Sequence, residues 1–243
     1  PPPAAAAGSH KLYCCAWSKP MAGRGVAVKW PEYAPDLFIE DSLAFIRQNQ
    51  KHPFFLYFAM NVPHANNEAG NKGMEVPDLG EFTGKDWPEP EKGFAKMIQN
   101  IDRDTGRILD LLKELKIAEN TLVIFTSDNG PHQEGGHKME FFNSNGNLRG
   151  FKRDLYDGGI RVPMIARWPG VIQPDTTSNH PSAFWDFLPT ACELANIEPP
   201  ADTDGISYLP TLLGKPQDQH EYLFWRAGQK FAVRRGEWKA VRL

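Results

Sequence analysis

The sequence predicts an α/β fold: a mostly parallel sheet flanked by helices, followed by the start of a small antiparallel subdomain at the carboxyl end. Three observations carry this. Residues 53–59 (Pro-Phe-Phe-Leu-Tyr-Phe-Ala) and 121–126 (Thr-Leu-Val-Ile-Phe-Thr) are apolar runs of strand length, and such runs suit parallel strands covered on both faces. Between them, residues 91–116 repeat apolar side chains at helical spacing, and strand, helix, strand in that order implies a right-handed parallel crossover. From Glu221 the texture changes to short alternating runs separated by Gly228 and Gly236, the pattern of hairpin-linked antiparallel strands.

The 243 residues carry a formal net charge of −3, with 41% hydrophobic and 23% charged side chains. These values are those of a globular domain, and the charge leaves no electrostatic footprint for nucleic acid. The longest apolar run, 53–60, is strand-sized rather than membrane-spanning. Neither nucleic acid nor a membrane is therefore expected as a partner. Three cysteines make no disulfide framework. Cys14 and Cys15 are adjacent and do not suit pairing with each other, while Cys192 lies in a helical pattern as a buried thiol.

Taken in order, residues 1–7 are low-complexity Pro and Ala, Gly8-Ser9-His10 has the look of a cloning remnant, and 11–35 show no clear periodicity. Residues 1–35 are thus set apart as an irregular segment. An incomplete α/β domain is expected over 36–215 and a truncated antiparallel subdomain over 216–243. The first helix is predicted over 35–50, with Asp36 as N-cap and Leu37, Ile39, Leu43 and Ile46 near helical spacing. The second, over 91–116, has an apolar stripe of Phe94, Met97, Ile98, Ile101, Ile108, Leu112 and Leu115. Asp102, Arg103 and Asp104 sit in its middle and read as a solvated or salt-bridged face. Residues 69–90, rich in Gly, Pro and acids, read as a long excursion. Lys72 and Trp87 within it are candidates to meet a substrate, with surface packing as the plainer account. Residues 162–167 are a strand candidate that Pro163 places at a strand start or edge. Residues 182–195 read as a helix with Phe184, Phe187, Leu188 and Leu194 inward and a bend at Pro189. Strands are expected at 222–225, 230–234 and 238–242, and a sheet cut short there leaves an edge for self-association.

The chemistry-bearing residues follow the strand candidates. In an open α/β sheet, ligands sit just past the carboxyl ends of the strands. Ser127-Asp128-Asn129-Gly130 occupies that place after 121–126, and Asp128 and Asn129 offer two side-chain oxygens in succession to a hard metal ion. Asn-Gly is also a common turn signal, so a plain turn is the competing account. Lys152 brings an ammonium a short loop away, and a surface lysine is its plain reading. His64, in Asn61-Val62-Pro63-His64-Ala65, lies beyond the 53–59 run; a loop histidine without a role is the alternative. His132, His137 and Arg149 are further polar groups in this stretch with no motif of their own.

Ser127-Asp128-Asn129-Gly130, Lys152 and Tyr156-Asp157-Gly158-Gly159-Ile160-Arg161-Val162-Pro163, in this order, resemble the sulfatases of the alkaline phosphatase superfamily. The likeness implies an alkaline-phosphatase-like fold and a sulfuric ester hydrolase. It implies Asp128 and Asn129 as calcium ligands, and His64 and Lys152 as catalytic contacts to the transferring sulfate. Gly158-Gly159 itself reads as a sharp turn where a side chain would clash, and Asp157 and Arg161 read as structural, ion-paired residues. The family's nucleophile is a formylglycine made from the Cys or Ser of a Cys/Ser-x-Pro-x-Arg segment. That segment and the family's first metal-binding aspartates are not identifiable here. Cys15-Ala16-Trp17-Ser18-Lys19 echoes the segment with Trp for Pro and Lys for Arg, and reads as chance. The implied substrate is a small sulfate ester, of a sugar or an aryl alcohol. An exported or periplasmic location is suggested, without a visible signal peptide. Two alternatives stand beside this: a phosphate or phosphonate ester hydrolase of the same superfamily, and a non-catalytic remnant that binds metal or glycan.

Overall fold

In the computed structural model, which describes residues 17–18 and 32–243, β1 (Trp17–Ser18) pairs antiparallel with β2 (Glu32–Tyr33). Cys15, Ala16 and Lys19 of the nucleophile-segment echo, and most of the irregular segment 1–35, lie outside the described residues. The chain forms two compact units. One holds the described residues up to Leu115 together with His132–Phe142, and the other holds Lys116–Pro131 and Asn143–Leu243.

In the first unit, β2 leads directly into α1 (Ala34–Asn49). Pro35 suits its first turn, where a missing N–H costs nothing. Ile39, Ser42 and Ile46 are its buried face, at the spacing of one helix stripe. Asp36 does not cap the helix: Tyr33 holds the N-cap position, and Asp36 is an acid in the first turn, where the helix dipole favours it. The second helix, α2 (Glu89–Glu114), buries Met97, Asn100, Asp104, Leu111 and Leu112. The expected stripe is right at Met97 and Leu112. Ile98, however, is 44% exposed, and Leu111 is buried where no inward residue was expected.

Three ion pairs join the helices: Asp36–Arg103 at 2.9 Å, Glu40–Arg107 at 2.6 Å and Arg47–Glu114 at 3.0 Å. Residue numbers rise together on both helices across these pairs, so α1 and α2 lie side by side and run in the same direction. Co-directional neighbours need a long return connection, and residues 50–88 supply it. That connection includes two short 3-10 turns, Asn67–Lys72 and Gly80–Phe82. Trp87 packs among Phe82, Phe141 and Phe142 at centroid distances of 5.4–5.9 Å, which is the plain packing account of that residue. Asp104 follows the salt-bridged half of the solvated or salt-bridged expectation, but not at the surface. It is fully buried, and its carboxylate takes Arg103 Nε at 2.8 Å. The core is Tyr33, Val62, Ala65, Met74 and Met97, with Phe94 and Ile101 packed against it.

The apolar run 53–59 is not in a ladder among the described residues. Its burial nonetheless alternates residue by residue. Phe54 faces inward, edge-on to Phe45 at 5.9 Å, while Phe55 and Tyr57 are 68% and 79% exposed. An alternating run becomes a strand only when a neighbouring backbone lies in register beside it. The described pairings are all antiparallel, so the mostly parallel sheet is not formed among the described residues.

In the second unit, β3 (Val123–Thr126) is followed by the short helix α3 (Asp157–Ile160) and by β4 (Met164–Arg167), which pairs antiparallel with β3. The reversal follows from the excursion between the strands, which ends where Thr126 Oγ1 donates to Pro163 O at 2.9 Å. Pro163 thus sits at a strand start, as expected. Then come α4 (Phe187–Leu194), α5 (Leu209–Leu212) and an antiparallel meander of β5 (Leu223–Ala227), β6 (Lys230–Arg235) and β7 (Trp238–Arg242). Gly228 and Gly236 make its turns with φ of 61° and 56°, a region open to glycine.

The inward face predicted for α4 is not the buried one. Phe184, Leu188 and Leu194 are 57%, 47% and 37% exposed, whereas Asp186, Pro189, Thr190 and Cys192 are buried. Pro189 lies in the first turn of α4 rather than in its interior, where proline is tolerated without a bend. A polar contact decides the orientation. Asp186 is fully buried and accepts from the N–H groups of Ala183 (2.7 Å) and Ile206 (2.9 Å), and it meets His220 Nε2 at 2.7 Å. Thr190 Oγ1 donates to Asp186 O and accepts from Tyr208 N–H.

Beside this cluster, both ring nitrogens of His180 are buried with no hydrogen-bond partner. Burial pushes the His180 pKa below its ordinary value of 6.5, against a smaller opposing pull from Asp186. The fold therefore favours the neutral ring. Its contribution to stability is present above about pH 6.5 and is lost as pH falls through the depressed value. Urea denaturation between pH 7.5 and 5 should show falling stability, and His180→Phe should flatten that fall. Parallel curves for the two proteins would clear His180.

A second measurement concerns Asp104. Replacing it with Ala should cost about 2 kcal/mol in the same urea experiment, the scale for losing a hydrogen bond to a charged group. A change below about 0.5 kcal/mol, typical of surface substitutions, would show that the Arg103 contact contributes little.

Candidate functional site

The loops after β3 build the first part of the site, all within the second unit. Asp128 is exposed and Asn129 half-buried. The Asn129 side-chain amide donates to Asp128 Oδ1, and Ser127 Oγ donates to Asn129 O at 3.0 Å. Gly130 N–H donates to Gly159 O at 2.9 Å. A Cβ on Gly130 would fall far inside contact distance of Gly158 O, and a Cβ on Gly158 would strike the carbonyl of Gly150. The turn after β3 and the Gly158-Gly159 corner therefore touch backbone to backbone, which only glycine allows.

The same packing places Lys152. Its N–H donates to Pro131 O at 2.8 Å, one residue past Asp128-Asn129-Gly130. Asp154 holds the turn by accepting from Phe151 N–H at 3.2 Å, and Gly158 N–H donates to Arg149 O at 2.7 Å. Arg149 stacks on Tyr156, 4.0 Å from the ring centroid. Asp157 is ion-paired, as its structural reading expects. Its partners are Lys239 at 2.5 Å and Arg234 at 3.6 Å, so it ties this loop to the C-terminal meander.

Asp128, Asn129 and Lys152 thus share one loop assembly: two hard oxygen donors and an ammonium on segments joined by backbone hydrogen bonds. That donor chemistry suits a hard cation and an oxyanion. It does not complete a calcium shell of about six to eight oxygens. Among the described residues no group of three or more His, Cys, Asp or Glu side chains is placed to hold a metal ion.

His64 belongs to the first unit. Its Nδ1 lies 2.7 Å from Ala65 O; a carbonyl only accepts, so this nitrogen carries the proton. Nε2 is then the ring atom that faces Glu134 Oε2, at 3.5 Å. The His132 tautomer is set the same way. Its Nδ1 accepts from Glu134 N–H at 3.0 Å, so Nε2 donates to Pro63 O at 2.9 Å. His132 therefore fastens the loop that carries His64, and the two rings stack at 6.1 Å. His137 is fully buried, lies flat on Phe94 at 3.9 Å, and meets Glu91 Oε2 through Nδ1 at 2.5 Å. Sequence reasoning raised His132 and His137 as polar groups without a role. It missed Glu91 and Glu134, whose only signal is placement, one in a helix first turn and one in a Gly-rich loop.

This fold and this loop chemistry define a member of the sulfatase family. The Sulfatase family model matches residues 10–197, and the chain belongs to that family. The N-acetylgalactosamine-6-sulfatase of Canis lupus familiaris is 33% identical over 214 residues, 84% of this chain and 37% of that protein. The steryl-sulfatase of Homo sapiens is 36% identical over 189 residues, 76% of this chain and 30% of that protein. Among solved structures, Ps i-CgsB in complex with k-i-k-neocarrahexaose is similar with a TM-score of 0.73 and 28% identity, over 90% of this chain and 48% of that one. The PsFucS1 sulfatase from Pseudoalteromonas sp. is similar with a TM-score of 0.65 and 26% identity, over 92% of this chain and 44% of that one. The chain thus spans about a third of the length of these curated relatives and just under half that of the solved ones. These neighbours give it the alkaline-phosphatase-like fold of sulfatases.

The glycine contact yields a direct test. Gly130→Ala should disorder the turn, visible as loss of amide signals for residues 127–131 and 150–159 in an NMR spectrum, with α2 unaffected. An unchanged spectrum would mean the backbone can move apart at little cost.

Proposed function

We propose that the whole protein to which this chain belongs is a sulfuric ester hydrolase acting on a small sulfate ester. The observation that carries this is the Lys152 turn, hydrogen-bonded through Pro131 to the segment bearing Asp128 and Asn129. Membership of the family supports it. In this reading Lys152 holds a sulfate oxygen and neutralises charge as the ester oxygen departs. His64, with Nδ1–H committed to Ala65 O, presents Nε2 to the transferring group.

Asp128 and Asn129 are two donors toward a calcium ion whose other ligands come from elsewhere in the whole protein. When bound, such an ion supplies Lewis-acid polarisation of the sulfate. The formylglycine nucleophile of the family is likewise assigned to sequence not identifiable in this chain. The alternating run 53–60 and the outer edge of β3 are, in this reading, the places where further strands complete a mostly parallel sheet.

The test uses the whole protein with an aryl sulfate and the matching aryl phosphate. Sulfate hydrolysis should dominate. Lys152→Ala should lower turnover by about a hundredfold or more, the usual scale for one lost transition-state charge contact. Lys152→Arg should restore little, because the planar guanidinium has a different shape and reach. Near-normal turnover by Lys152→Ala removes the residue from the site, and preferential phosphate hydrolysis overturns the proposal.

A further inference from the structure

The segment that leads into Lys152 is held by one amide side chain. Asn145 is half-buried, while Asn143, Ser144, Gly146 and Asn147 around it are exposed. Its Nδ2 donates to Leu148 O at 2.9 Å and to Gly150 O at 3.2 Å. Its own carbonyl accepts from Leu148 N–H at 3.0 Å. The carbonyl between those two, that of Arg149, takes Gly158 N–H. Three successive carbonyls just upstream of Lys152 are thus held alternately by Asn145 and by the glycine corner.

Two features make this hold matter. Lys152 lies in the turn Phe151-Lys152-Arg153-Asp154, closed by Asp154 N–H donating to Phe151 O at 2.9 Å. The third residue of that turn, Arg153, has φ of +78°, a region that favours glycine and costs other residues. A turn strained beside Lys152 persists only when its surroundings fix it, and Asn145 fixes the segment entering it. The second feature is Gly150. Its φ is +83°, and its carbonyl lies where a Cβ on Gly158 would strike it. Glycine leaves that peptide free to swing, and the Asn145 amide pins its oxygen. A shift there carries into Lys152, two residues on.

We propose that Asn145 is a positioning residue for Lys152, setting where the ammonium stands through the Leu148 and Gly150 carbonyls. The proposal rests on the sulfate ester reading above, in which Lys152 neutralises charge on the departing oxygen, and deepens it. Both acceptors are carbonyl oxygens. A primary amide carries two N–H donors on one nitrogen and serves both. A carboxylate of the same shape offers only acceptors and repels them. The effect falls on turnover, since misplacing a reacting group by about 1 Å costs on the order of a hundredfold in rate.

The experiment measures kcat/KM of the whole protein for 4-nitrophenyl sulfate. Asn145→Ala is introduced into the wild-type background and into the Lys152→Ala background. The expected loss is about tenfold or more in the first and under about twofold in the second, because a residue that acts through Lys152 couples to it. A loss below about tenfold in the wild-type background, or one of comparable size in both, overturns the proposal. Asn145→Asp keeps the volume and removes the donors, so it should lose as much; wild-type turnover by this variant also overturns the proposal. It carries the test if Asn145→Ala does not fold. Hydrogen exchange by NMR reads the anchor apart from catalysis. The Lys152 amide, bonded to Pro131 O, should exchange about tenfold faster or more in either variant, with the β7 amides unchanged. If the wild-type protein hydrolyses no sulfate ester, the hydrolase reading falls, and unchanged Lys152 exchange then rejects the positioning on its own.

Discussion

The second unit depends on a contact that no side chain could survive. Gly130 lies against the carbonyl of Gly158 while donating its N–H to Gly159 O. One Cβ there would push apart the turn after β3 and the corner before β4. Everything chemical in this unit hangs on those two segments. Asp128 and Asn129 precede Gly130, and Lys152 is fastened one residue past it through Pro131. The glycines therefore act at a distance of a few residues, setting where an ammonium and two oxygen donors stand. The cost of such backbone freedom is entropic, of order 1 kcal/mol per glycine. The fold offsets it with the hydrogen bonds that the close approach permits.

Buried carboxylates perform a second kind of fixing, and each takes a different compensation. Asp186 gathers two backbone N–H groups and His220, and in doing so ties together the start of α4, the segment at Ile206 and the segment before β5 that carries His220. Asp104 takes the Arg103 guanidinium. Glu91 takes the His137 ring and the Lys138 N–H. A buried charge without such partners would cost several kcal/mol, so each carboxylate specifies the arrangement of its partners more than it adds net stability. Tyr208 shows the same environment from the other side. Burial first, and Asp186 second, push its pKa up to about 12.

Much of this was legible from local pattern. The C-terminal meander follows its alternating runs and its two glycines almost residue for residue, because hairpin turns are encoded locally. The two long helices are where their periodicity places them. What failed were inferences that depend on a partner. The apolar run 53–59 reads as a central strand, yet its ladder requires a backbone that no local signal specifies. The α4 helix was assigned an apolar inward face, but Asp186 and Thr190 turn the other face in, since satisfying a buried carboxylate outweighs burying Leu188. For Asp104 the ion pair was among the expected readings, with its partner Arg103 adjacent in sequence, but its burial was not, because that comes from packing. Of the candidate site, Asp128 and Asn129 were read from their place just past an apolar run and Lys152 from the order of motifs that resembles the sulfatases. Glu134 and Glu91 were not, because nothing in a lone glutamate says that a histidine will meet it.

The charge of the site loop then follows from these fixings. The chain as a whole carries −3, yet residues 149–161 hold four cationic side chains, Arg149, Lys152, Arg153 and Arg161, against two carboxylates. Both carboxylates are engaged within the unit: Asp154 closes the Lys152 turn, and Asp157 is shared by Lys239 and Arg234 of the meander. Asp157 alone brings two further cations toward this loop. A local positive field on a mildly acidic protein attracts small anions selectively, and its reach is limited to about a Debye length, roughly 8 Å at physiological salt. Counted by side chains alone, the loop holds two more cations than carboxylates, which is the sign that the anionic ester proposed above requires.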